Sequence, residues 1–354
     1  MTTENEDILK DAKLRFSTDQ KPGYSRSISN EHFVYYNTEG TKITDEVVIS
    51  RINKLVIPPA YKKVWICPYA NGYLQATGYD ARKRKQYRYH PLWTQAMHEE
   101  KFSHLLSFAH QLPKIRRHVT HDMKLTGMPK EKILATIVWL LENTLIRIGN
   151  EEYEKENKSY GLTTLKNKHV TFAKRNNVLF EFKGKSDVYH SVSIHSKKVA
   201  AIIRKCRELP GQELFEYRNE EGEIKNITSY DVNEYLKGIT GTDTTAKDFR
   251  TWGGTVMAAS QFDTVGIGES ADHAKKNIVA TVKKVSGHLR NRPATCKKYY
   301  IHPSIIGAYQ NGKIISHITS KLKKKTYKPI RGLDIYENQV VALLGEMEKE
   351  NEIV

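Results

Sequence analysis

A chain of 354 residues is long enough to bury a substantial core, and its length favours two domains over one. Lys and Arg total 57 against 40 Asp and Glu, and the resulting charge of +17 is spread along the sequence, as expected of a protein that meets a polyanion, nucleic acid before an anionic membrane. No stretch approaches the roughly 20 apolar residues of a membrane span, and Cys67, Cys206 and Cys296 are too scattered for a disulfide framework or a zinc site, so a reducing, cytosolic-type compartment is expected.

The acidic opening Met-Thr-Thr-Glu-Asn-Glu-Asp has no apolar run and is not expected to be a signal peptide. Residues 1 to 15 read as a loosely docked lead-in. Over residues 24–93 the runs Phe33-Val-Tyr-Tyr, Val64-Trp-Ile-Cys and Gly72-Tyr-Leu-Gln-Ala-Thr-Gly, separated by turn-forming residues, predict a small, mostly antiparallel sheet with a helix near 45–55. Residues 80–89 interleave basic residues with Gln86, Tyr87 and Tyr89. Arg82 and Arg84 would meet phosphates, and alternate residues of a strand would present the tyrosine pair to a groove.

The character changes near His90-Pro-Leu-Trp93, which predicts a β-rich domain over 1–94 and a mainly helical one over 95–354, an α+β chain. A helix is expected over 96–111. Pro129 opens the clearest one, with Ile133, Ile137, Leu141, Leu145 and Ile148 on one side and Gly149 closing it. Arg147 would then lie in its last turn, where a cation meets the helix dipole, yet its apolar neighbours call for an anionic partner. Three strands follow over 168–173, 178–183 and 188–194, with Lys185 at the tip of the Gly-Lys-Ser-Asp turn. A tip lysine either serves solubility or is carried into a groove to deliver a proton.

Helical segments are expected over 196–209, 229–237, 244–260, 271–288 and 334–350. In the third of these, Arg250 borders the inward stripe Phe249, Trp252, Gly253 and Val256. The pair Gly253-Gly254 costs about 1 kcal/mol per glycine in a helix, which implies close approach of another backbone or a ligand. Residues 291–303, Asn-Arg-Pro-Ala-Thr-Cys-Lys-Lys-Tyr-Tyr-Ile-His-Pro, hold two adjacent tyrosines on a short piece of chain between prolines. A protonated tyrosine is a poor nucleophile, and nearby cations are what its attack on phosphate requires. The plain alternative is one packed and one solvated tyrosine. His118 and His121 lack convincing metal-ligand partners and no Gly-rich phosphate loop occurs, so neither a metal nor a nucleotide cofactor is expected.

Taken in order, the strings Lys85-Gln-Tyr-Arg-Tyr-His-Pro, Ile146-Arg-Ile-Gly, Tyr160-Gly-Leu-Thr-Thr-Leu-Lys-Asn-Lys-His, Phe182-Lys-Gly-Lys, Lys247-Asp-Phe-Arg-Thr-Trp-Gly and Arg292-Pro-Ala-Thr-Cys-Lys-Lys-Tyr-Tyr-Ile-His-Pro resemble type IB DNA topoisomerases of the compact poxvirus-like and bacterial branch. The resemblance implies Tyr300 as nucleophile, Arg147 and Lys185 as proton donors to the leaving 5′ oxygen, and Arg147 and Arg250 as holders of the scissile phosphate. The family's fifth residue, a histidine nine positions before the tyrosine, falls on Asn291, with His288 the competing candidate. The DNA contacts expected are Arg82, Arg84, Gln86, Tyr87, Tyr89, Tyr153 and Lys168. The expected partner is duplex DNA, bound by a monomer in the cytoplasm or nucleoid, or in a virion or viral factory if the source is viral. Two alternatives stand beside this reading: a tyrosine recombinase, disfavoured by Lys247 where recombinases usually carry histidine, and a non-catalytic basic DNA-binding protein.

Overall fold

The computed structural model describes residues 3–29, 32–81, 83–173, 176–316 and 328–352. The chain divides into two compact units, Met1–Ser103 and His104–Val354.

The first unit begins with a helix, α1 (Thr3–Asp11), where a loose lead-in was expected. Leu9 is buried, and the chain after it is fastened to the sheet. The Arg15 amide donates to the Asn71 carbonyl at 2.8 Å, Phe16 stacks on Tyr73 at 5.4 Å, and the Ser17 hydroxyl donates to the Leu74 carbonyl at 2.9 Å. Then follow β1 (Tyr24–Ser29), β2 (His32–Tyr36), α2 (Glu46–Lys54), β3 (Lys62–Ile66), β4 (Leu74–Tyr79) and β5 (Lys85–Tyr89). The strands form one antiparallel sheet in the order β2-β1-β3-β4-β5. Asp45 starts α2 by accepting from the Val47 amide at 2.8 Å, and the helix lays Ile52 against Tyr35, Val64, Ile66 and Ala76.

Helix α3 (Pro91–Asp122) runs across the boundary residue and far past its expected end at 111. The buried stripe Leu105, Phe108, Leu112, Ile115 and Val119 continues through Pro113, so packing outweighs the backbone hydrogen bond that proline forgoes. The second unit continues with α4 (Lys130–Thr144), α5 (Glu151–Asn157), two 3₁₀ turns (Leu162–Thr164 and Asn167–His169), β6 (Val170–Phe172), β7 (Asn177–Lys183), β8 (Tyr189–His195) and α6 (Lys197–Cys206). A two-stranded hairpin, β9 (Glu216–Arg218) with β10 (Ile224–Asn226), occupies a stretch with no expected element. Last come α7 (Ser229–Thr240), α8 (Ala246–Val265), α9 (Ala271–Leu289), α10 (Pro293–Tyr299), α11 (Pro303–Gln310) and α12 (Ile335–Glu352).

The fold is therefore α+β: a small antiparallel sheet unit, then a mainly helical unit with a three-stranded sheet, β6-β7-β8, inserted. Helix α4 is buried almost continuously from Ile133 to Leu141, and Phe108 of α3 meets Phe249 of α8 edge-on at 5.1 Å. No helix among the described residues is long and apolar enough to cross a membrane.

One expectation is overturned within this core. Helix α4 ends at Thr144, not at Gly149, because Leu145 turns left-handed (φ 52°) and the Ile146 amide bonds the Thr144 hydroxyl at 3.2 Å. The following residues pair with the first 3₁₀ turn instead, the Leu162 amide donating to the Arg147 carbonyl at 2.9 Å and the Thr163 amide to the Ile148 carbonyl at 2.7 Å. Arg147 thus lies outside the helix, and the helix dipole is not what it answers to.

Candidate active site

Helix α8 positions the site through its glycine pair. A Cβ on Gly254 would lie 2.4 Å from the Tyr300 carbonyl oxygen, and one on Gly253 would lie 2.7 Å from a Leu145 methyl. The close approach implied by the sequence is therefore that of two other chain segments. One carries Tyr300, which ends α10 with its amide bonded to the Cys296 carbonyl at 2.9 Å. The His302 amide donates to the Thr255 hydroxyl at 3.1 Å and anchors the far side of that segment. The other is the turn after α4, which leads to Arg147.

Arg250, one turn before the glycines, is 3% exposed. Its Nη1 donates to the Leu145 carbonyl and its Nη2 to the Leu289 carbonyl at 2.9 Å, so one guanidinium joins the ends of α4 and α9. Beyond α9, Arg290 in a left-handed conformation (φ 50°) turns the chain before Pro293. That turn brings the Asn291 side-chain oxygen onto Arg147 Nη2.

Arg147, Arg250, Lys185 and Tyr300 line one cavity of about 360 Å³, together with Ile148, Gly149, Asn150, Ser159, Tyr160, Ala246 and Lys247. Asn291 joins the group through Arg147. The Arg250 guanidinium carbon lies 5.1 Å from the centre of the Tyr300 ring. Burial pushes the Tyr300 hydroxyl up, but the charges of Arg250 and Arg147 outweigh it, so its pKa sits below the ordinary tyrosine value. Burial and the charge of Arg147 pull Arg250 down to about 10, with Tyr300 opposing.

Three buried donors of this cluster, Arg147 Nη1, Arg250 Nε and Asn291 Nδ2, have no hydrogen-bond acceptor among the described residues. Unsatisfied buried donors cost about 1–3 kcal/mol each, more when charged. Two mutually repelling guanidiniums with unused N–H groups make a receptor for a tetrahedral oxyanion. Lys185 is exposed at the tip of the β7–β8 turn and still reaches the cavity wall.

The adjacent Tyr299 is 38% exposed, lies outside the cavity, and has the Lys298 ammonium 5.4 Å from its ring centre. His288 is exposed in the last turn of α9 and lines a different cavity, of about 560 Å³, with Arg116 and Glu142, whereas Asn291 contacts Arg147. Asn291, and not His288, therefore stands beside Arg147. Tyr160 and Lys247, which stand inside the motif strings but were not expected in the site, line the cavity too, and no sequence signal marks His190, buried on β8. No cluster of three metal-ligating side chains occurs among the described residues.

Of the expected DNA contacts, Gln86, Tyr87 and Tyr89 lie on β5, Tyr87 and Tyr89 being 49% and 43% exposed and stacked at 6.1 Å. Arg84 and Gln86 both bond the Asp80 carboxylate, at 2.7 Å and 3.1 Å. Lys168 is exposed on the second 3₁₀ turn. Arg82 and the side chain of Tyr153, which falls on α5, lie outside the described residues.

A model of the bacterial DNA topoisomerase IB N-terminal domain matches residues 32–80, and a model of the eukaryotic DNA topoisomerase I catalytic core matches residues 90–327, about two thirds of the chain. The chain belongs to the type IB DNA topoisomerases. It is 31% identical over 296 residues to DNA topoisomerase 1B of Acanthamoeba polyphaga mimivirus, covering 82% of this chain and 88% of that protein. It is 24% identical over 233 residues to DNA topoisomerase 1B of vaccinia virus strain Copenhagen, with 65% and 70% covered. Against DNA topoisomerase 1 of Candida albicans the identity is 26% over 239 residues, 66% of this chain but 27% of that larger protein. These matches decide between the topoisomerase and recombinase alternatives.

Proposed function

We propose that this protein relaxes supercoiled duplex DNA by transient cleavage of one strand. The Tyr300 hydroxyl, its proton passing to water, forms a bond to the scissile phosphorus while the bond from phosphorus to the 5′ oxygen breaks. A 3′-phosphotyrosyl link and a free 5′ hydroxyl result. Lys185, with Arg147, supplies the proton that the departing 5′ oxygen takes up. Charge that builds on the non-bridging oxygens in the transition state is met by Arg147, Arg250 and the Asn291 amide, held in place beforehand by the carbonyls of Leu145 and Leu289. Religation runs the same steps backwards. Because the phosphodiester energy stays in the covalent link, the balance of the reaction needs neither a nucleotide nor a redox partner.

The observation that carries this reading is the convergence of a tyrosine hydroxyl of lowered pKa with two guanidiniums and three acceptor-less buried donors at one cavity that a lysine also lines. In this reading residues 1–94 form a DNA-clamping domain, with Gln86, Tyr87, Tyr89 and the neighbouring basic residues facing the duplex, and 95–354 form the catalytic domain. The proposed reaction needs only one set of these residues, so a monomer suffices, acting wherever its DNA is held. Supercoiled plasmid incubated with the protein in chelator and without nucleotide should be relaxed through a ladder of intermediates. A folded, DNA-binding preparation that leaves the plasmid supercoiled would refute the proposal.

A further inference from the structure

The turn that carries Lys185 rests on a histidine the proposed chemistry does not use. His190, opposite Phe182 in the β7–β8 pairing, is 3% exposed, and its ring stacks on that of Phe182 at 4.7 Å and 16°. Neither ring nitrogen has a hydrogen-bond partner among the described residues. A buried polar ring without partners is rare, and it means that packing alone sets where this imidazole sits. Its other neighbour is the backbone of Gly184, where a Cβ would stand 2.5 Å from His190 Nε2. Gly184 has φ −94°, open to any residue, so the glycine is required there by the imidazole and not by the backbone.

Gly184 immediately precedes Lys185. Its amide bonds the Val188 carbonyl at 2.8 Å across the turn, and Ser186 and Asp187 are both left-handed (φ 64° and 63°), so the strained turn pivots on the residue that the ring supports. Burial and the charges of Arg290, Arg147 and Arg250 push the imidazole down to about 3, so the wedge is uncharged at neutral pH. Arg290 also donates to the Ser191 carbonyl at 2.6 Å, tying β8 to the segment that bears Asn291.

We propose that His190 is a positioning residue for Lys185: its ring, wedged between Phe182 and Gly184, sets the height of the turn from which the lysine reaches the leaving oxygen. The inference rests on the reading of Lys185 as proton donor. A donor displaced by about 1 Å can lose up to a hundredfold in rate.

The test is single-turnover cleavage of two duplexes, one with an ordinary 5′ oxygen at the scissile bond and one with a bridging 5′ sulfur, which departs as a thiolate without needing a proton. His190→Ala should slow cleavage of the oxygen duplex about 10- to 100-fold and restore most of the rate with sulfur, as Lys185→Ala does to a larger degree. His190→Phe, a planar ring of similar thickness, should recover most of the rate on oxygen. Gly184→Ala should be as slow as His190→Ala, and adding it to His190→Ala should cost little more, since the clashing ring is gone. Equal losses on both duplexes for a folded His190→Ala, with Lys185→Ala still rescued by sulfur, would overturn the inference and leave the lysine's role standing. If Lys185→Ala itself is not rescued, the proton-donor reading fails and the inference fails with it.

Discussion

Arg250 holds its guanidinium carbon 5.1 Å from the centre of the Tyr300 ring while its Nη atoms are committed to the Leu145 and Leu289 carbonyls. One side chain therefore frames the two helix ends that bound the site and lies against Tyr300, the proposed nucleophile. A lysine would keep the positive charge but has no planar fork to span two carbonyls, so Arg250→Lys is not conservative here. Cleavage should fall about a hundredfold or more, the usual consequence of losing one preorganised oxyanion donor. Covalent adduct formation in a single turnover measures it, with gel-shift binding as the control; a rate within a few-fold of wild type would remove Arg250 from the chemistry.

The two adjacent tyrosines give a sharper test, since only Tyr300 lines the cavity and Tyr299 is 38% exposed outside it. Tyr300→Phe should abolish both relaxation and the covalent adduct, a loss of at least about a thousandfold, because no nucleophile is left. Tyr299→Phe should stay within a few-fold of wild type in a plasmid relaxation assay. The reverse pattern would move the nucleophile to Tyr299 and refute the proposed assignment.

Cleavage should also depend on pH in a direction set by the two arginines. In the proposed reaction Tyr300 gives up its proton to water before it bonds to phosphorus, so the rate should rise with pH until the phenolate predominates. Burial alone would move the rise above the ordinary tyrosine value, but Arg250 and Arg147 bring it below 10. Arg147→Ala removes one of those cations and should move the inflection upward while lowering the plateau. The tyrosinate absorbance near 295 nm and the single-turnover pH profile should shift together, and an inflection unmoved in the variant counts against the coupling.

Much of this site was legible in the chain because its members sit inside short strings whose order is distinctive: Arg147 before Ile-Gly, Lys185 after Gly184, Arg250 before Thr-Trp-Gly-Gly, and Tyr300 before Ile-His-Pro. The glycine pair was legible for a physical reason, since two glycines in a helix are tolerated where something must come close. Other features were not. The apolar spacing of α4 runs on through Ile148, and nothing local reveals that the Arg147 and Ile148 carbonyls are taken by the Leu162 and Thr163 amides. The amino-terminal helix is polar but for a few residues, and the chain after it is anchored by contacts 57 residues away in sequence, such as Ser17 with Leu74. The role of His190 depends on which side of β8 faces Gly184, a matter of register that composition does not carry.

The glycine pair yields a last prediction in which two opposing effects can be weighed. Alanine is favoured over glycine in a helix interior by about 1 kcal/mol, so both Gly253→Ala and Gly254→Ala gain that much locally. At Gly253 the new methyl meets the Leu145 side-chain methyls at 2.7 Å and 2.8 Å, which a rotamer change relieves, so the net effect on stability should be small. At Gly254 it meets the Tyr300 backbone oxygen at 2.4 Å, which cannot move without displacing the segment that carries Tyr300. Overpacking of this kind costs about 1–3 kcal/mol and exceeds the helical gain. Gly254→Ala should therefore lower the melting temperature by a few degrees and slow adduct formation at least tenfold, with DNA binding retained, while Gly253→Ala does neither. Calorimetry alongside single-turnover cleavage compares them directly, and equal behaviour of the two variants would show that the Tyr300 segment is not seated on Gly254.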